Sequence, residues 1–284
     1  MNQILYASLF RHLKDYTNDD INEGMIRHMT LNSIRSINQK FKEEYGELII
    51  ATDGNDYWRK KVFPYYKASR KKARDKLGLD WEALFKIMST IREELKENFP
   101  YRVINVDKAE ADDIIATLCK KYGVDIPLAI GEKILIISGD KDFVQLQKYS
   151  NVQQYDNVRK VWVEHSNPEQ YLTEHILRGD PGDGIPNYLS DDDTFVMNKR
   201  QKRLTSQKVK EFIDNKNFHK TLEEKELRNY YRNLSIIDLS NIPEDIETTI
   251  LKEYSEQKDK NRDKIFNYFI MNKLKTLMEH VTEF

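Results

Sequence analysis

Acidic residues recur in this chain where short apolar runs end. Asp53 follows Leu48-Ile49-Ile50-Ala51-Thr52, and Glu110, Asp112 and Asp113 follow YRVINV; Asp140 and Asp142 follow ILIIS, and Asp180 and Asp183 lie in RGDPGDGIPN. Each alone is ordinary, because carboxylates favour the first turn of a helix and Asp favours turns. Four groups in succession ask for a common reason. Eight carboxylates brought into one cleft cannot all stay ionised; either several are protonated at neutral pH or divalent cations compensate them. Oxygen donors without neighbouring Cys or His select hard ions, Mg²⁺ with Mn²⁺ as the alternative, and the number of carboxylates suggests two ions. Such a site serves phosphodiester hydrolysis, one ion activating a water and the other stabilising the leaving oxygen. Within the second group, Glu110 and Asp113 share a helix face while Asp112 points about 100° away. Glu110 and Asp112 are the expected ligands, with Asp113 a support or a water-mediated ligand.

A second feature has the opposite sign. Residues 58–76, WRKKVFPYYKASRKKARDK, hold nine basic residues against one acid, a local net of +8. A solvated helix face is the usual reason for a charge run, but here no acidic partners are interspersed. Trp58, Phe63, Tyr65 and Tyr66 lie among the cations, a pattern that suits a groove tracking phosphates with rings for base stacking. Arg59, Lys60, Lys67, Arg70, Lys71, Lys72 and Arg74 are the candidate contacts. Lys67 and Arg70, three apart, are the best placed to stabilise charge developing on a scissile phosphate. A further basic run, with Lys199, Arg200, Lys202 and Arg203, could contact duplex backbone.

The elements that must carry these groups follow from periodicity. Helices are expected over 3–14, 19–45, 81–98 and 108–121, and buried strands over 47–52, 101–106 and 133–138. Short apolar runs alternating with helices indicate an α/β fold with a mostly parallel sheet covered on both faces. The pieces 152–155 and 161–164 read as an antiparallel edge ribbon. After Pro168 only helical patterns remain (169–178, 205–215, 219–232, 243–257 and 262–280), with a loop over 179–204. The expected division is an α/β core over 1–168 and an α-helical region over 169–284.

Composition narrows the class. In 284 residues, 46 Lys and Arg against 47 Asp and Glu leave a net charge of −1, so any nucleic-acid surface must be a separated patch. No apolar run is long enough to span a bilayer and no secretory signal opens the chain. A single cysteine, Cys119, excludes an intramolecular disulfide framework and suits a reducing cytoplasm. The six histidines are scattered, with no Cys/His pattern for zinc.

ATDGNDYWRK with YYKASRKKAR, then DKAEADDIIATL, ILIISGDKDFVQL and LRGDPGDGIPN stand in the order found in a known family. Through them the chain resembles the 5′-nuclease (flap endonuclease) superfamily, most closely its T-even-like bacteriophage ribonuclease H branch, over roughly residues 1–190. The resemblance implies a PIN-like nuclease core and a divalent-metal enzyme that removes RNA primers and 5′ flaps during lagging-strand replication. It implies metal-site roles for Asp53, Glu110, Asp112, Asp140, Asp142, Asp180 and Asp183, with Asp113 beside them. Lys67 and Arg70 would match the basic residues of a helical gateway, and Arg59 a further substrate contact. GDPGDGIPN resembles the opening of a helix–three-turn–helix element that grips duplex backbone and binds a monovalent cation, K⁺, at the 179–187 turn. Implied partners are DNA, RNA–DNA hybrid and branched or flap substrates, with single-stranded-DNA-binding protein and a sliding clamp. A monomer in the host cytoplasm is expected.

The family usually opens with a hydrophobic strand ending in Asp, whereas this chain opens in the helix that follows. The expectation is a truncated or misassigned start, one strand and one carboxylate short. The competing class is therefore a non-catalytic, structure-specific DNA-binding homologue with an incomplete metal site. A haloacid-dehalogenase-like phosphatase would explain the Asp pair after ILIIS but leaves the +8 segment without a role.

Overall fold

The computed structural model describes residues 22–76, 78–124, 132–215, 218–258 and 260–284. The helix expected over 3–14 lies outside them, as does the expected start of the next helix at Asp19. The chain divides into two compact units, each built from separated segments. One holds residues up to Gly54, Leu79–Val106 and Glu244–Phe284; the other holds Asn55–Gly78 and Asp107–Pro243. Among the described residues, no helix is long and apolar enough to cross a membrane.

In the first unit, Asn22 caps helix α1 (Glu23–Tyr45) by accepting from the amides of Gly24 and Met25. Ile26, Ile34, Ile37 and Phe41 recur on its buried face, and Gly46, at φ 74°, ends it. Strand β1 (Ile49–Ala51) follows. Asp80 caps helix α2 of this unit's second segment in the same way, through the Ala83 amide at 3.0 Å; that helix spans Trp81–Asn98. It leads to β2 (Arg102–Ile104), which pairs parallel with β1 in the register Ile49↔Arg102 to Ala51↔Ile104. The C-terminal segment adds α3 (Glu244–Glu256), α4 (Ile265–Met271) and α5 (Lys275–Met278). The single helix expected over 262–280 is broken where Lys273 takes φ 56° and the Leu274 amide turns back to the Phe269 carbonyl at 2.9 Å. The core is apolar and aromatic. Ile91, Leu95, Val103 and Phe269 are fully buried, each contributing about 2 kcal/mol by leaving water, and Phe99 packs against Tyr268 at 5.3 Å and Phe284 at 5.5 Å.

The second unit begins with two short helices, α6 (Arg59–Val62) and α7 (Ser69–Asp75), then α8 (Ala111–Tyr122). Strand β3 (Ile134–Ile137) leads through a 3₁₀ helix, Lys141–Lys148, to β4 (Val152–Asp156), parallel to it from Ile134↔Val152 to Ile137↔Tyr155. Strand β5 (Val161–Trp162) closes back antiparallel at Tyr155↔Trp162, the edge ribbon expected. Helices α9 (Pro168–Arg178), α10 (Ser206–Asp214) and α11 (Glu224–Ile237) complete the unit. Among the described residues the α/β class with parallel pairing is observed, as one two-stranded and one three-stranded sheet.

The 179–204 stretch lacks periodicity, yet its backbone is well held. The Asn229 amide donates to the carbonyls of Tyr188 and Ser190, and that of Asn233 to Ile176 and Pro186, all at 2.8–3.0 Å. The run Asp191-Asp192-Asp193 is likewise paired: Asp191 with Lys225 at 2.6 Å, Asp192 with Arg228 at 2.6 Å and Asp193 with Lys199 at 2.7 Å.

Candidate active site

All but one of the expected acidic residues belong to the second unit, where local backbone chemistry aims them. β3 ends at Ser138-Gly139, and Asp140 caps the following 3₁₀ helix by accepting from the Asp142 amide at 3.1 Å. The Gln154 amide on β4 fixes this corner by donating to the carbonyls of Ser138 and Asp140 at 2.8 and 2.6 Å. A Cβ at Gly139 would lie 2.5 Å from the Asp156 carboxylate, which would have to shift to admit a side chain. Helix α9 ends at Gly179, φ 69°, where a Cβ would lie 2.3 Å from the Ile185 carbonyl. The chain then folds into a tight turn. Asp180 Oδ1 accepts from the amides of Gly182 at 2.8 Å and Asp183 at 3.3 Å, while its carbonyl accepts from Ile185 at 2.7 Å.

Asp142 is the electrostatic focus. Burial, then the charges of Asp140, Asp180, Asp112 and Asp183, push its carboxyl well above the usual carboxylate range. Asp142 therefore lies in the field of four other acids. A histidine also sits there. His175 Nδ1 is 3.4 Å from Asp142 Oδ1 and Nε2 is 4.0 Å from Asp180 Oδ2. Burial holds its imidazole below the ordinary histidine value, against the opposing pull of Asp180, Asp140 and Asp183. Its Nδ1 is buried without a hydrogen-bond partner among the described residues. The expectation of oxygen donors with no nearby His is thus corrected. His175 lies five residues before Asp180 on the helix that delivers it, and only that proximity in LTEHILRGD could have signalled it. Crowded carboxylates around a raised Asp142, with an orphaned imidazole nitrogen facing them, fit divalent cations.

Beside this cluster lies a second, of mixed sign. Glu110 and Asp113 form a capping box at the start of α8, the Glu110 amide donating to Asp113 Oδ2 at 2.9 Å. Asp113 is fully buried and also accepts from the Trp58 indole at 3.1 Å and pairs with Arg59 at 2.8 Å. Glu110, 2% exposed, accepts from Arg59 at 3.0 Å and from the Tyr66 hydroxyl at 2.9 Å, and pairs with Lys67. Lys67 also stands 3.4 Å from Asp183, which Arg70 grips through its guanidinium. Burial alone would lower the Lys67 pKa, but Asp183 and Glu110 outweigh it and hold the ammonium charged.

Two family models cover the chain. Residues 2–175 match the 5′-3′ exonuclease N-terminal resolvase-like domain, and residues 166–284 match the T4 RNase H C-terminal domain. The chain belongs to the 5′-3′ exonuclease family. It is 36% identical to ribonuclease H of Enterobacteria phage T4 over 275 residues, 94% of this chain and 88% of that protein. It is 30% identical over 184 residues to flap endonuclease Xni of Shewanella denitrificans, covering 62% of this chain and 66% of the relative. In fold it is similar to T5 5′-exonuclease bound to divalent metal ions (zinc), with a TM-score of 0.61 at 17% identity, over 89% of this chain and 96% of that one. As a member of this family the protein is a nuclease, the class to which the motifs pointed.

Not every residue of the basic segment meets the role expected in this 5′-3′ exonuclease. Trp58, Phe63 and Tyr66 are 7%, 1% and 4% exposed, so their rings cannot stack on a base, whereas Tyr65 is 38% exposed. Arg59 is likewise turned inward: its guanidinium is taken by Glu110, Asp113 and the Ile236 carbonyl, at 2.9 Å. Burial of the three aromatic rings anchors the segment, and the pairing with Glu110 and Asp113 offsets the cost of taking the Arg59 guanidinium out of water. Lys60 is exposed and lies over the Tyr57 ring at 5.1 Å; Arg70 and Arg74 keep partial exposure, and Lys71 and Lys72 are placed on α7 by their backbone. Lys199, Arg200, Lys202 and Arg203 are exposed. Asp53 belongs to the first unit, directly after β1, where its carbonyl accepts from the Asn105 amide at 2.7 Å.

Proposed function

We propose that this nuclease is a divalent-metal-dependent 5′→3′ enzyme that hydrolyses RNA primers in RNA–DNA hybrid and 5′ flaps during lagging-strand replication, by a two-metal mechanism. The single observation that supports this most is that Asp142 and Asp180 each bring a carboxylate oxygen within 4.8 Å of the other and of a His175 nitrogen, in the field of Asp140, Asp112 and Asp183. These residues would hold the cations, with Glu110 and Asp113 beside them; Mg²⁺ is the proposed ion and Mn²⁺ its substitute. When bound, the ions supply an activated water and stabilise the leaving oxygen.

The remaining work falls to the chain's own side chains. Lys67 and Arg70, already charged and aimed at Asp183, offer a scissile phosphate two fixed cations. Tyr66 donates to Glu110 or Asp183 and keeps both carboxylates oriented. Tyr65, Lys60 and the exposed 199–203 run track the backbone of the substrate. The family resemblance supports K⁺ at the 179–187 turn, and single-stranded-DNA-binding protein and a sliding clamp as partners of a monomer acting in the host cytoplasm.

The test is a Mg²⁺ titration on 5′-flap, nicked and RNA–DNA substrates. Metal-dependent release of short 5′ products is expected. Hydrolysis indifferent to chelator, or confined to 3′ ends, would overturn the proposal.

A further inference from the structure

We infer that His175 is a nitrogen ligand of the metal centre, completing with Asp142 and Asp180 a position that favours borderline ions such as Co²⁺ and Zn²⁺ over Mg²⁺. The inference rests on reading the carboxylate cluster as a metal centre and specifies the chemistry of one of its positions.

His175 is held where a ligand would have to be. Asn167 caps α9 through the Gln170 amide at 3.0 Å and Pro168 opens it, so the helix that carries His175 is anchored at its start. One turn before His175, the Tyr171 ring meets the imidazole edge-on at 6.0 Å, and His165 in turn meets Tyr171 at 5.1 Å. This row of rings sets the imidazole plane. With its side chain only 15% exposed, His175 has little freedom to turn towards water.

The separations around it suit an ion better than a hydrogen bond. Nδ1 has no hydrogen-bond partner among the described residues and stands 3.4 Å from Asp142 Oδ1. A hydrogen bond from an imidazole to a carboxylate would sit at roughly 2.7–3.2 Å. Two donor atoms each about 2.1 Å from one cation lie roughly 3.0–3.4 Å apart when adjacent and about 4.2 Å when opposite. One donor atom each from Asp142, His175 and Asp180 lie within 4.8 Å of one another, so seating all three on one ion takes reorientation of the carboxylate side chains. Imidazole nitrogen strengthens binding along the Irving–Williams series, whereas Mg²⁺ prefers oxygen.

The untagged full chain provides the test. Pulsed electron paramagnetic resonance of the Mn²⁺-loaded protein should show coupling to an imidazole ¹⁴N that disappears in His175→Ala. Calorimetric titration should show Co²⁺ affinity falling at least tenfold in His175→Ala while Mg²⁺ affinity stays within about twofold. Bound Mn²⁺ without nitrogen coupling in the wild-type chain, or Co²⁺ and Mg²⁺ affinities that fall together or stay unchanged, would overturn the inference while leaving the metal centre intact. A wild-type chain that binds none of these ions would overturn the metal-centre reading itself.

Discussion

Lys67 is tied to Asp183 at both ends: its backbone amide donates to the Asp183 carbonyl at 2.8 Å, and its ammonium stands 3.4 Å from the Asp183 carboxylate. Lys67 achieves this at φ 56°, an uncommon conformation for a residue with a side chain. The basic segment and the acidic turn after α9 are thereby held as one piece. Asp183 also receives Arg70 and the Tyr66 hydroxyl, so it serves the fold as well as the site.

Asp183→Asn should accordingly destabilise the protein by about 2 kcal/mol. Removing one partner of a buried pair costs more when the other is stranded, but Lys67 keeps Glu110 and Arg70 is half-exposed. Urea unfolding of both proteins checks this, and an unchanged midpoint would show that the pairing carries no net stability.

Lys67→Ala should act differently, lowering single-turnover cleavage by about 10²–10³-fold if its charge is used at the phosphate. Substrate affinity, read by fluorescence anisotropy, should change far less. Equal losses in both would mean that Lys67 only assists binding.

Asp140→Asn should abolish cleavage while preserving or strengthening DNA binding, since one negative charge leaves the vicinity of the phosphates. Residual hydrolysis at the wild-type rate would remove Asp140 from the centre.

Metal and pH are linked through Asp142. Its folded pKa is raised above 3.8, so the stability contributed by the neutral carboxyl is complete below that value and is lost as pH rises through the folded one. A bound cation reverses the preference. Thermal melts from about pH 4 to 8 should show stabilisation by Mg²⁺ that grows with pH, reaching about 2.7 kcal/mol at a hundredfold excess over Kd. A shift that is flat with pH would separate Asp142 from the bound ion.

Cys119 offers a control remote from charge. Burial pushes its thiol from 9.0 up to about 12, so the contribution of the neutral thiol is complete below pH 9 and falls by about 1.4 kcal/mol per unit above it. Unfolding measured between about pH 9 and 11 should therefore slope less in Cys119→Ala. The native thiol should also resist alkylation at pH 8 and react once denaturant is added.

Much of the site was legible along the chain because the signals are local. Apolar runs place β3, turn chemistry places Asp140 and Asp142 after it, and GDPGDG demands the tight turn that presents Asp180 and Asp183. The +8 segment was legible as a charge excess, but not the fate of each cation within it.

The sequence by itself determined the alternation of the longer helices and strands from residue 81 to 178, the succession of acids at strand ends and the nuclease class, because each is written within a few neighbouring residues; the short helices over 59–62 and 69–75 and the break at Lys273 were not written there. Only the tertiary structure decided which charges neutralise one another. Arg59 turns inward because Glu110, Asp113 and the carbonyl of Ile236 satisfy it there, and partners so distant leave no mark on local spacing. Asp113 becomes a buried cap with Trp58 and Arg59 as its partners for the same reason, and His175, though only five residues from Asp180, meets Asp142 only because the fold brings them together. Whether a polar group faces water or another charge depends on what the fold packs against it.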